Sequence, residues 1–146
     1  MPTLERSRHV VNVYAIISHD NKLLVVEDSR MSGYTLPGGV VHDPVEHALR
    51  QAVYDQLDTT VAAADFCSVI EYATPDVNGE HGLELAFLFD VTIADPSAIH
   101  PRQGAIRWVE ENSLATLDLR PNILRRGMAT GGLSPQNPWW PQLEEP

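Results

Sequence analysis

Four side chains that can transfer protons lie close together in one short segment of the sequence. They are two histidines and two carboxylates: His42, Asp43, Glu46 and His47. A histidine titrates near neutral pH, and a neighbouring carboxylate can orient its ring. This combination can act as a general acid or base without a metal ion. The alternative is that these are exposed polar residues of the kind that covers any protein surface.

His42 is the stronger of the two histidine candidates. It falls in a short loop, whereas His47 falls on an outward position of a predicted helix. The other four histidines lie near predicted turns or strand ends and show no metal-ligand spacing: His9, His19, His81 and His100. The sequence therefore predicts acid–base chemistry centred on the loop that contains His42.

A strand, a turn and a helix must position these groups, and residues 34–61 contain all three. Pro37, Gly38 and Gly39 interrupt a short apolar strand. Glycine can adopt the positive φ that a sharp turn requires. This pattern predicts a strand that ends in a tight turn before the loop.

The helix is predicted over residues 44–57. Asp43 is a candidate N-cap, Pro44 suits the first helical position, and Glu46 can complete a capping box. Apolar residues then recur at helical spacing: Val45, Ala48, Leu49, Ala52, Val53 and Leu57. They indicate a helix with one face on a core. A capping role would explain Asp43 without any catalytic role.

The same segment resembles the signature of the Nudix superfamily, at LPGG and at EHALRQAVYDQL. The family pattern is Gly, five residues, Glu, seven residues, then Arg-Glu-aliphatic-any-Glu-Glu-any-Gly-aliphatic. Val53 keeps the aliphatic position, but over residues 38–59 the signature is degenerate. Asp43 stands in place of the first Glu and lies too close to Gly39. The other departures are Gln51 for Arg, Ala52 for Glu, Asp55 and Gln56 for the Glu pair, Asp58 for Gly and Thr59 for the last aliphatic residue.

The resemblance implies a site where carboxylates hold Mg²⁺ against a diphosphate. At about 3.6 residues per turn, positions 52, 55 and 56 share one face of the helix. Here that face carries Ala52, Asp55 and Gln56. Mg²⁺ needs near-octahedral oxygen ligands, and one short carboxylate with one amide supplies few of them. We therefore expect no metal cofactor. Mg²⁺ bound through Asp55 belongs to the alternative of a conventional hydrolase.

The resemblance extends beyond the signature, over about residues 9–128. A hairpin with its turn at 19–22 precedes the signature, and an Arg-Trp strand followed by a helix comes late, in IRWVEENSLATLDLRP. It implies an α/β fold of the α+β sandwich type, with a mixed β-sheet between helices in a single domain. We expect residues 1–8 to be a flexible N-terminus and residues 129–146 to be a Pro- and Trp-rich tail.

The strand predicted from Leu83 to Ile93 alternates strictly, so one of its faces is core. Glu84 and Asp90 lie on its other face. If a helix covers that face, both are buried or line a substrate cavity; otherwise they are an ordinary polar surface. We include Gly38 and Gly39 of the signature with them as candidate substrate-binding residues.

Composition excludes several classes of partner. The net charge of -10 argues against nucleic acid, because phosphate binding requires a basic surface. Apolar runs are far shorter than the roughly 20 residues of a membrane span, and no signal peptide is visible, so we expect a cytoplasmic protein with no membrane partner. The single cysteine, Cys67, excludes an internal disulfide, and we expect it to be buried.

Three functions are open. The first is metal-independent acid–base catalysis on a small organic metabolite, which the loss of carboxylates beside the histidine loop favours. The second is a conventional Nudix hydrolase of a nucleoside diphosphate derivative. The third is a non-catalytic protein that binds a small molecule. We also expect Trp139 or Trp140 to pack on the domain or on a second subunit, which would make a homodimer.

Overall fold

The computed structural model describes residues 9–27, 33–75, 81–100, 105–130 and 132–141. The predicted N-terminal segment and the last residues of the tail lie outside them. The strands in the described residues are β1 His9–Ile16, β2 Ser18–His19, β3 Lys22–Glu27, β4 Tyr34–Thr35, β5 Gly38–Val40, β6 Val61–Pro75, β7 His81–Ile93, β8 Ile106–Glu110 and β9 Trp139–Trp140. The helices are α1 Val45–Leu57 and α2 Asn122–Thr130. Neither has the length and apolar character needed to cross a bilayer.

The strands form two sheets. A five-stranded sheet has the order β5-β1-β7-β6-β9, and β2, β3, β4 and β8 form a four-stranded sheet around β3. In the first sheet β1 is parallel to β7 and antiparallel to β5, so the sheet is mixed. The predicted fold, a mixed sheet between helices, is confirmed.

The predicted hairpin turn is confirmed between β2 and β3. Ser18 pairs with Leu23 and His19 with Lys22. The two residues between the strands, Asp20 and Asn21, have φ of 53° and 62°. Positive φ at both central positions matches the right-handed twist of the strands, and Asp and Asn tolerate it well.

Helix α1 begins one residue later than a capped Asp43 would require. Pro44 is the N-cap residue, with extended ψ of 141°, and no side chain makes a capping hydrogen bond. The prediction that Asp43 caps the helix is therefore wrong, because its side chain lies one residue outside the first turn. The apolar stripe is confirmed, since Leu49, Val53 and Leu57 are buried.

The prediction that Gly38 and Gly39 turn the chain with positive φ is also wrong. Both belong to β5, which pairs with β1, and Gly33 is the described glycine with positive φ, at 109°. A different constraint requires glycine at position 38. A Cβ there would overlap the carbonyl oxygen of Val13. At position 39 a Cβ would meet nothing within 4 Å. Close approach of two strands, not turn geometry, explains Gly38.

Two apolar cores flank the five-stranded sheet. The first core lies on the side of α2 and includes Tyr14, Ile70, Leu88 and Leu124. The second core lies on the side of α1 and includes Val13, Leu49, Val53, Leu57, Phe89 and Val91. Cys67 is buried in the first core, as predicted, and burial raises the pKa of its thiol.

Strand β7 is buried on both faces over part of its length. The strict alternation predicted one core face, and Phe89, Val91 and Ile93 do pack in the second core. The opposite face is not an ordinary polar surface, because Ala86 and Leu88 are fully buried in the first core. The alternation signals one face correctly but cannot show that α2 and the four-stranded sheet cover the other.

The described part of the C-terminal segment, residues 132–141, packs on the domain. Strand β9 pairs in parallel with Val69 and Ile70 of β6, and the Val69 N–H donates to the Pro138 carbonyl oxygen at 2.7 Å. Trp140 packs against the first core, whereas Trp139 is 51% exposed. The expectation that one tryptophan packs on the domain is confirmed for Trp140.

We predict that Trp140→Ala lowers the free energy of unfolding by about 2 kcal/mol, because a partly buried aromatic ring leaves the first core. Trp139→Ala removes the same side chain from an exposed position and should change it by less than about 0.5 kcal/mol. Urea denaturation of both variants measures the difference. Equal effects would mean that the packing of Trp140 contributes no more stability than the exposed Trp139.

Candidate functional site

The amide of Gln56 bridges helix α1 and strand β5. Its Oε1 accepts a hydrogen bond from the Gly38 N–H at 3.2 Å, and its Nε2 donates to the Gly38 carbonyl oxygen at 2.6 Å. Strand β5 is the edge of its sheet. On its inner side, the Ala15 N–H donates to the Pro37 carbonyl oxygen and the Val41 N–H to that of Val11. Antiparallel pairing alternates, so Gly38 directs its polar groups outward, where Gln56 satisfies both.

The rest of that helix face does not supply a cation site. Ala52 has no ligand atom, and Asp55 is exposed and accepts a hydrogen bond from Gln51 Nε2 at 2.9 Å. In the described residues no three acidic, histidine or cysteine side chains converge as metal ligands. The Gln56 side-chain oxygen already accepts from the Gly38 N–H, and the Gly38 carbonyl oxygen accepts from Gln56 Nε2. This donor set therefore does not fit Mg²⁺.

The end of α1 agrees with the alignment of the signature. Asp58 is the C-cap residue with left-handed φ of 56°, and its N–H donates to the Tyr54 carbonyl oxygen at 3.0 Å. Left-handed helix ends favour glycine, and the signature places a glycine at this position. Asp58 thus adopts the left-handed conformation that glycine favours.

The four predicted acid–base residues lie around the start of α1. His42, Asp43, Glu46 and His47 are all exposed. Within the described part of the chain, no hydrogen bond or ion pair joins these side chains to one another. The loop is fixed just before them, because the Val41 N–H donates to the Val11 carbonyl oxygen at 2.8 Å and Val41 packs against the second core. His42 is thus an accessible imidazole beside an anchored backbone.

Glu84 belongs to a buried polar network on the face of the five-stranded sheet that is opposite helix α1. Asn12 Nδ2 donates to Glu84 Oε1 at 2.7 Å and to Tyr72 Oη at 3.0 Å, and the Tyr72 hydroxyl donates to the same Glu84 oxygen at 3.0 Å. These three side chains are 4%, 5% and 7% exposed for Asn12, Tyr72 and Glu84. A carboxyl group with two donors on one oxygen is held firmly in a low-dielectric environment.

Burial raises the pKa of Tyr72 far above the ordinary phenol value, and the neighbouring Tyr14 and Glu84 raise it further. The phenol therefore remains protonated and serves as a hydrogen-bond donor. Tyr72 and Asn12 were not predicted as site residues. Asn12 had a usable signal, because it is the one polar residue in the apolar run from Val10 to Ile17.

Asp90 does not join Glu84. It is exposed, and its pairing partner on β6 is Asp65. Partial desolvation raises the pKa of its carboxyl group, and the charge of Asp65 adds to this. The structure thus separates the two carboxylates that the alternation of β7 placed on one face, and only Glu84 becomes part of a buried arrangement.

No protein-family model and no curated protein matches the sequence. Solved structures do. A Nudix hydrolase from Nitrosomonas europaea is 18% identical with a TM-score of 0.63, covering 95% of this chain and 98% of its own. A MutT protein from Bacillus halodurans is 13% identical with a TM-score of 0.66, covering 82% of this chain and 79% of its own.

A third similar structure is NrtR from Shewanella oneidensis, solved in complex with a 27mer DNA. It is 15% identical with a TM-score of 0.62, and the match covers 83% of this chain and 60% of that one. Proteins of different activity thus share this architecture, and identities this low establish the fold alone. The two-sheet topology, the register of α1 and these structural matches agree: the chain has the fold of the Nudix hydrolases.

Proposed function

We propose that this protein acts on a small organic molecule by acid–base catalysis that uses no divalent cation on helix α1. The observation that carries this proposal is the Gln56 amide, which donates to the Gly38 carbonyl oxygen at 2.6 Å where a cation would need free oxygens. Ala52 on the same face removes another ligand. The chemistry then falls to side chains that transfer protons unaided, of which His42 is the first candidate and Asp43, Glu46 and His47 are the others.

The substrate is proposed to be small and not a nucleic acid. The net charge of -10 opposes a polyanion. An open groove of about 370 Å³ at the turn between β2 and β3 is lined by Asp20, Asn21, Glu110, Glu111 and Asn112, so it too presents carboxylates to solvent. The single cysteine is compatible with the cytoplasm.

A second candidate is a binding protein without catalytic activity. It is favoured by the exposure of all four proposed acid–base side chains and by the lack of contacts between them in the described residues. A catalytic base is usually oriented by a neighbour. Proton transfer by an exposed imidazole without such a partner would depend on the substrate to order it.

A metal titration separates these proposals from a conventional hydrolase. Thermal melting with Mg²⁺ or Mn²⁺ should show no saturable shift, whereas a ligand at 100 times its Kd would add about 2.7 kcal/mol. Nucleoside diphosphate derivatives should be assayed in parallel, with Mg²⁺ and with EDTA. Metal-dependent release of phosphate or mononucleotide that is lost in Asp55→Asn and kept in His42→Ala would establish the conventional hydrolase instead.

A further inference from the structure

We infer that Gln56 is a positioning residue whose amide holds strand β5 against helix α1 through both of its polar atoms. The inference concerns structure and does not rest on the proposed function. It follows from which atoms of Gln56 donate and which accept, and from the position of Gly38 on the sheet edge.

Few side chains other than glutamine could both accept from and donate to Gly38 at position 56. Gly38 presents one N–H and one carbonyl oxygen to the helix, and a primary amide matches them with one acceptor and one donor. A glutamate has the same length but only accepts when ionised. Its second oxygen would then face the Gly38 carbonyl oxygen with no hydrogen between them. Such a carboxylate would need either a proton or a cation to restore the bridge.

The bridge lies on the outer edge of β5, just before the loop that contains His42. After the bridge, the Val41 N–H donates to the Val11 carbonyl oxygen at 2.8 Å. Position 42 follows immediately and is exposed. Losing the Gln56 contact therefore frees the outer edge of β5 at Gly38, whereas the Val11 contact still holds the backbone just before His42.

The test compares Gln56→Glu with Gln51→Glu, since both remove an amide donor from α1. The Gln51 hydrogen bond is exposed and within the helix. At pH 8 in EDTA, Gln56→Glu should lower the folding equilibrium constant about tenfold to a hundredfold, and Gln51→Glu by about threefold or less. Urea denaturation measures both.

Acidification should restore Gln56→Glu, because a protonated carboxyl group has the donor and acceptor of an amide. The folded state then binds a proton more tightly than the unfolded state, where a glutamate pKa is about 4.3. Its pKa is raised on folding, so stability falls as the pH rises. The difference from wild type should thus be smaller at pH 5.5 than at pH 8. Equal loss at both pH values, or equal loss in Gln51→Glu, would overturn the inference.

Hydrogen exchange gives a readout that does not depend on the glutamate variant. Within the described residues, the Gly38 amide donates to Gln56 Oε1, and the Val41 amide donates to the Val11 carbonyl oxygen. In Gln56→Met the Gly38 amide should exchange at least tenfold faster while the Val41 amide keeps its protection. If the Gly38 amide of the wild-type protein exchanges like an exposed loop amide, the bridge does not exist in solution. None of these measurements needs a substrate, so they stand apart from the proposed function.

Discussion

His42→Ala is expected to lower turnover by 10²- to 10⁴-fold, or about 3 to 5 kcal/mol in the activation barrier, once a substrate is identified. The expected loss is that of one general acid–base group, the role that we propose for His42. Thermal stability should be unchanged, since the side chain is exposed. Steady-state kinetics in EDTA provide the measurement.

The matched control is His100→Ala, which removes an exposed imidazole elsewhere in the described chain. It should leave both turnover and stability as they are. Loss of activity in both variants would indicate a general effect of removing histidine. Full activity in His42→Ala would remove this residue from the mechanism and leave His47, Asp43 and Glu46 as the groups to test.

Gly38→Ala should reduce the free energy of unfolding by about 3 kcal/mol, at the upper end of what overpacking costs. The added methyl group would overlap the Val13 carbonyl oxygen and press on the Tyr14 ring, so β5 would have to move away from β1. That movement would also disturb the hydrogen bonds between Gly38 and Gln56. Denaturant unfolding measures the loss.

Gly39→Ala tests the same substitution one residue along, where a Cβ meets nothing within 4 Å. It should be neutral or slightly stabilising, because alanine restricts the unfolded chain more than glycine does. If both variants lost the same stability, a general effect of replacing glycine in β5, and not the contact with Val13, would explain the loss in Gly38→Ala. The pair therefore isolates one steric contact.

Local patterns in the sequence predicted the elements well. The spacing of Leu49, Val53 and Leu57 gave α1, and the alternation of β7 gave its second-core face, because both depend on neighbours along the chain. The hairpin turn at Asp20 and Asn21 follows from the same kind of local chemistry. Contacts between distant segments were not predictable in this way.

Gln56 shows this limit most clearly. A glutamine on a helix is usually a surface residue, and only the position of β5 reveals that both of its polar atoms are bonded. The network of Asn12, Tyr72 and Glu84 likewise joins three strands, so no single stretch contains its pattern. The prediction that Asp43 caps α1 was wrong for a local reason, because Pro44 has extended ψ and Asp43 therefore lies outside the first turn.

The pairing of β9 with β6 has a consequence for synthesis of the chain. Strand β9 leaves the ribosome after every other described element, yet its partners Val69 and Ile70 belong to the middle of the sequence. Until β9 is synthesised, Val69 and Ile70 of β6 lack their partner strand, and the part of the first core that Trp140 covers is open to solvent. The sheet edge at Val69 and Ile70 is thus completed only after every other described element has been synthesised.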